Sequence, residues 1–115
     1  MEAKEMVKIA YHALSEKKGE EIKIIEIGEL TVIADYFLIA NGGNSSQIQA
    51  MVENVEELLG REGVQPKRIE GGRNSSWILM DYGDIIVHIF DREDRLFYDL
   101  ERIWRDGKDV SIEEL

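Results

Sequence analysis

Cysteine is absent from the 115 residues, and proline occurs only once. Without cysteine the chain can form no disulfide and has no thiolate for catalysis or metal binding, which suits a reducing compartment. No run approaches the roughly 20 apolar residues that a membrane-spanning helix needs, and Glu2, Lys4 and Glu5 stand where a signal peptide would have its apolar core. We therefore expect a cytoplasmic protein without a membrane partner.

Basic residues are also scarce, with 14 lysines and arginines against 24 aspartates and glutamates and a formal charge of −10. A field of this sign repels phosphate backbones and argues against generic nucleic-acid binding. Basic protein partners are favoured instead. The hydrophobic fraction of 43% in a chain of this length predicts one folded domain over residues 1–115, with a loose tail after about residue 105.

Apolar spacing predicts a helix over residues 2–18 and a second one that begins at Asn44 or Ser45 and ends near Gly63. β-branched and apolar runs predict strands over residues 22–28, 36–40 and 67–70.

Residues 76–81 and 84–90 read as a hairpin, and residues 96–104 as a short aromatic helix. This order predicts an α/β fold, a single domain with a mixed five-stranded sheet and helices mainly on one face.

Three groups of residues have types that catalytic or binding sites use. Asp81 and Asp84 flank a turn and could share a magnesium ion, but turns commonly recruit aspartate for local hydrogen bonds, which we favour. The Gly42–Ser46 run lacks the lysine of a P-loop and is better read as a helix-capping turn. His12 and His88 have no metal-ligand spacing, so we expect His88 to be hydrogen-bonded or to face a partner.

Trp77 and Leu79 alternate with Ile78 and Met80 along one strand, so the two pairs point to opposite faces of the sheet. If helices cover Ile78 and Met80, Trp77 and Leu79 are left on the more open face as an apolar docking patch. Burial of Trp77 stays open as the alternative.

Three sequence strings carry a resemblance that covers nearly the whole chain. They are "DYFLIANG" from Asp35, "WILMDYGDIIVHIF" from Trp77 and "RLFYDLERIW" from Arg95. In this order the strings resemble the Iojap-like ribosomal silencing factors. The resemblance implies a nucleotidyltransferase-like fold without catalysis or a cofactor, commonly a homodimer. It also implies binding to ribosomal protein number fourteen of the large subunit, which blocks joining of the small subunit and represses translation under nutrient limitation.

We expect the partner-binding residues to lie along the hairpin: Trp77, Leu79, Asp81, Tyr82, Asp84 and His88. Two alternatives remain at this stage. The Asp81 and Asp84 pair could belong to a magnesium-dependent nucleotidyltransferase-like enzyme, or the Trp77 face could be the contact of a dimeric scaffold.

Overall fold

The two most apolar strands lie side by side at the centre of a single mixed sheet. The computed structural model describes residues 1–115. Its strands are β1 Glu20–Glu26, β2 Tyr36–Gly42, β3 Arg68–Glu70, β4 Trp77–Asp81, β5 Ile85–Asp91 and β6 Lys108–Val110. They are ordered β3-β4-β5-β2-β1-β6. β2 and β5 pair in parallel, and every other neighbouring pair is antiparallel.

Two long helices pack together against one face of this sheet. They are α1 Ala3–Glu16 and α2 Ser45–Arg61, and two short helices, α3 Arg92–Tyr98 and α4 Leu100–Ile103, follow β5. Asn44 begins α2, as predicted, because its side-chain oxygen accepts a hydrogen bond from the Gln47 amide at 2.8 Å. No helix is both long and apolar enough to span a bilayer.

The sheet separates two hydrophobic cores. The larger core holds 20 buried residues, including Ile24, Ile78 and Met80, beneath α1 and α2. The smaller core on the other face holds eight, including Ile25 and Phe90, and only Leu100 of these comes from a helix. Two β-branched neighbours, Ile24 and Ile25, thus enter opposite cores, as expected for a strand covered on both faces.

The structure differs from three predictions about the C-terminal part. The sheet has six strands rather than five, because Lys108–Val110 pairs with the outer edge of β1. The tail after residue 105 is therefore held to the sheet, and a short 3₁₀ helix follows at Ile112–Glu114. The predicted aromatic helix is also split, because Asp99 adopts a left-handed conformation with φ of 48° between α3 and α4. The predicted likeness to nucleotidyltransferases stays a prediction.

Candidate docking face

The face of the sheet opposite α1 and α2 carries a chain of aromatic contacts. Trp77 on β4 stacks on Phe90 of β5, with ring centroids 5.0 Å apart, and lies 4.6 Å from the ring of Tyr98 in α3. On the same face, Phe37 meets Trp104 edge-on at 5.1 Å. As predicted for strand alternation, α1 and α2 cover Ile78 and Met80 while Trp77 and Leu79 lie on this second face, where both are half-buried.

Short helices cover this face incompletely and add exposed apolar residues of their own. Leu96 is 81% exposed, Phe97 79% and Ile103 67%, and together with Tyr98 they line one shallow depression. We call the following set the docking face: Trp77, Leu79, Leu96, Phe97, Tyr98 and Ile103. Large apolar side chains that gather on one surface mark interaction sites far more often than isolated ones do.

His88 and Tyr82 are buried inside the chain. His88 is 4% exposed and lies beside Phe37, where its Nδ1 accepts a hydrogen bond from the Trp77 indole N–H at 3.1 Å. Tyr82 is 5% exposed and points to the opposite side, into the core under α1 and α2, with no partner for its hydroxyl. For His88 the hydrogen-bonded alternative expected from the sequence is the one observed. Both side chains are buried in this fold, and their direct contact with a partner stays a prediction.

Burial shifts the ionisation of both groups. It lowers the pKa of His88 to about 4, so the imidazole is neutral at neutral pH and its Nδ1 remains a hydrogen-bond acceptor. Burial also raises the pKa of the Tyr82 phenol, and the charge of Glu56 adds to the effect. Neither group is poised for proton transfer near neutral pH.

Asp81 and Asp84 have different contacts at the hairpin turn. The Asp81 carboxylate accepts a hydrogen bond from the Gly83 amide at 2.8 Å and lies 3.4 Å from the Arg68 guanidinium. Asp84 is exposed, and its backbone carbonyl accepts the amide N–H of Asp35 at 2.8 Å. No group of three or more histidine, aspartate or glutamate residues converges to hold an ion. The turn role favoured from the sequence is confirmed for Asp81.

Arg95 fixes α3 to the sheet, a role that the sequence did not suggest. Its guanidinium is 8% exposed and donates to the Glu21 carbonyl at 2.7 Å, to Asn41 Oδ1 at 2.8 Å and to Glu101 Oε1 at 2.8 Å. No signal in the sequence separates this arginine from its exposed neighbours. The exposure of Leu96 and Phe97 could be predicted from the sequence, because three consecutive apolar residues in a short helix cannot all face one sheet.

The structure belongs to the class of small α/β domains. Two helices cover one face of its sheet, and the other face is left partly open as an aromatic surface. The particular family follows from comparison with known proteins. A family model described as "Ribosomal silencing factor during starvation" matches residues 1–115, and the chain belongs to this family. The resemblance noted from the sequence strings is thereby confirmed.

Individual relatives agree with this assignment. Ribosomal silencing factor RsfS of Halalkalibacterium halodurans is 34% identical over 98% of this chain and 97% of its own length. The chloroplastic protein Iojap of Zea mays is 28% identical over 87% of this chain and 43% of its own. A crystal structure of a Chromobacterium violaceum protein, 32% identical, superposes with a TM-score of 0.88 over 96% of this chain and 92% of that one.

Proposed function

We propose that this protein is a cytoplasmic silencing factor that acts by occlusion. It binds the large ribosomal subunit through ribosomal protein number fourteen, prevents the small subunit from joining, and so represses translation when nutrients are limiting. The observation that carries the proposal is the docking face, an exposed apolar surface on a chain of the ribosomal silencing factor family.

The docking face has the composition of an interface centre. Aromatic residues are enriched at the most completely buried part of an interface. On the docking face, the ring of Tyr98 contacts the rings of both Trp77 and Phe97. Trp77 is held by His88 on one side and by stacking on Phe90 on another. A side chain already fixed in this way loses little conformational entropy when a partner covers it.

Charge selects the type of ribosomal component. A chain with a formal charge of −10 gains nothing from releasing counterions from ribosomal RNA, whereas an exposed basic ribosomal protein attracts it. Asp84 is exposed, but it lies at the far end of the hairpin from Trp77 and so is not part of the docking face. Asp81 contributes little negative charge, because Arg68 already lies against it.

Occlusion requires no catalytic residue. A protein bound at the subunit-joining surface prevents joining by its volume alone. The carboxylate that the enzyme alternative needs most, Asp81, is engaged in a turn hydrogen bond and an ion pair. These contacts favour occlusion over a magnesium-dependent reaction at the hairpin.

The proposal is tested by sedimentation of the purified protein with separated ribosomal subunits, followed by addition of the small subunit. We expect comigration with the large subunit alone and fewer joined particles. Two variants distinguish packing within the docking face from contact with the large subunit. Trp77→Phe keeps an aromatic ring in the face, whereas Phe97→Ser removes an exposed ring. Absence of comigration by the folded wild-type protein would reject the proposal.

A homodimer, which the family resemblance implies, would compete with the ribosome if its contact used the docking face. If a second copy covers the docking face, Phe97→Ser will convert a dimer into a monomer in sedimentation equilibrium. If the dimer uses another surface, the variant will keep its mass and lose only the ribosome. The two outcomes distinguish a scaffold contact from a ribosomal one.

A further inference from the structure

The connection between β1 and β2 exposes a second set of apolar residues. Leu30 is 48% exposed, Val32 104% and Ile33 57%. Three aliphatic side chains within four consecutive positions form a continuous apolar tip, which a loop that only joins two strands does not need. We call residues 28–35 the apolar loop.

The apolar loop is held in one shape by its own hydrogen bonds. Ile27 and Ala34, at its ends, are buried in the smaller core. The Ile27 amide donates to the Asp35 carbonyl at 2.9 Å, and the Leu30 amide donates to the Ile27 carbonyl at 2.9 Å. These bonds close the base of the apolar loop and place Leu30 in a hydrogen-bonded turn.

Carboxylates surround the base of the loop. The depression beside it is lined by five acidic residues, with Lys4 as the one base: Glu2, Glu26, Glu29, Asp35 and Asp84. None of the five takes part in an ion pair; the ion pairs of the structure lie elsewhere. The turn that carries Asp84 is fixed to the loop, since the Asp84 carbonyl accepts the amides of both Asp35 and Tyr36.

An apolar tip beside unpaired carboxylates restricts the chemistry of its partner. Nucleic acids and acidic proteins are repelled by the five carboxylates, and so is a second copy of this chain, whose net charge is −10. A lysine- or arginine-rich polypeptide can neutralise these carboxylates while an aliphatic residue between its charges covers Val32 and Ile33.

We propose that the apolar loop and its acidic surround form a second docking surface, which binds a basic polypeptide segment that also carries aliphatic side chains. The surface lies at the opposite end of the β4–β5 hairpin from Trp77, because Asp84 follows the last residue of β4 whereas Trp77 begins it. The inference goes beyond ribosomal occlusion by the docking face and does not depend on it.

The test uses the full chain and a fluorescein-labelled peptide in which two leucines are flanked by lysines. A matched peptide has serines in place of the leucines. Binding is measured by fluorescence anisotropy, and the contact is mapped by backbone amide chemical shifts. We expect the leucine peptide to bind more tightly, with shifts concentrated in residues 28–35 and around Asp84.

Two double variants complete the test. Val32→Ser with Ile33→Ser should weaken binding of the leucine peptide by about tenfold, since it removes two exposed aliphatic contacts without touching either core. Leu96→Ser with Phe97→Ser, an equally exposed pair on the docking face, should leave that binding unchanged. Unchanged melting temperatures establish folding. Equal affinity for both peptides, equal affinity of the loop variant and wild type, or shifts confined to the docking face would each overturn the proposal.

Discussion

The indole N–H of Trp77 donates a hydrogen bond of 3.1 Å to Nδ1 of His88, a histidine that is 4% exposed. The other ring nitrogen of His88, Nε2, has no partner. With Nδ1 as an acceptor, a neutral imidazole carries its proton on Nε2. Protonation of Nδ1 would remove the acceptor and place an unpaired cation beside Phe37 and Phe90. The orientation of Trp77 on the docking face thus depends on a neutral His88.

This relationship predicts an acid-sensitive stability. Burial lowers the pKa of His88 from 6.5 to about 4, so the unfolded chain binds a proton in this interval that the folded chain does not. The neutral His88 makes its full contribution to the free energy of unfolding above pH 6.5. This contribution is lost as the pH falls from 6.5 toward 4, and the loss is about 3 kcal/mol in total. Urea unfolding of the wild type and of His88→Gln between pH 7 and pH 4 measures it, because glutamine can accept the indole bond and does not titrate.

We expect the wild type to lose more stability than His88→Gln over this interval. His12→Gln serves as the control, since it removes the exposed histidine and keeps His88. Parallel curves for the wild type and His88→Gln would show that His88 has the same pKa in the folded and the unfolded chain, and would contradict the prediction.

Arg95 predicts a large effect from a single truncation. Arg95→Ala removes the donors to Asn41 Oδ1, which is buried, and to the partly buried acceptors of Glu21 and Glu101. We therefore expect the free energy of unfolding to fall by about 3 kcal/mol. Arg102→Ala is the control, because Arg102 lies in the adjoining α4, is exposed, and makes none of these contacts. It should change stability by less than about 0.5 kcal/mol. Similar losses in the two variants would contradict the anchoring role of Arg95.

Most of the fold could be predicted from the periodicity of apolar residues in the strands and helices. The alternation through Trp77 to Met80 placed each side chain on the correct face, and the spacing in residues 44–63 located α2 with its asparagine cap. These features are local, because each pattern lies within one helix or strand and does not depend on contacts with distant segments. The central strands could also be predicted from the sequence, because continuous β-branched runs are typical of strands that are covered on both faces.

What the sequence could not show depends on contacts between distant segments. β6 is three residues long and two of them are charged, so it forms only because the exposed edge of β1 offers hydrogen bonds. The position of Tyr82 in the hairpin predicts contact with a partner, but Tyr82 packs into the core under α1 and α2. Arg95 meets Asn41 54 positions away in sequence, a pairing that no spacing rule reports.

Phe97 separates the docking role from folding more cleanly than Trp77 does. Phe97 is 79% exposed, so Phe97→Ser should leave the melting temperature within a few degrees of wild type while it weakens comigration with the large subunit by about tenfold or more. Ile69→Ser is a control for the other face of the sheet, because Ile69 is 36% exposed and pairs with Met80 on the helix side. Equal ribosome binding by the two variants would exclude Phe97 from the interface.

Tyr82 provides a test of which expected hairpin residues contact a partner. Its hydroxyl is buried without a hydrogen bond, and that burial raises the pKa of the phenol. Tyr82→Phe removes an unsatisfied polar atom and keeps the ring, so urea unfolding should show equal stability or a gain of up to about 1 kcal/mol. Large-subunit binding should not change, because the side chain lies in the core under α1 and α2. A folded Tyr82→Phe variant that lost ribosome binding would return Tyr82 to the interface and require the hairpin to open when the partner binds.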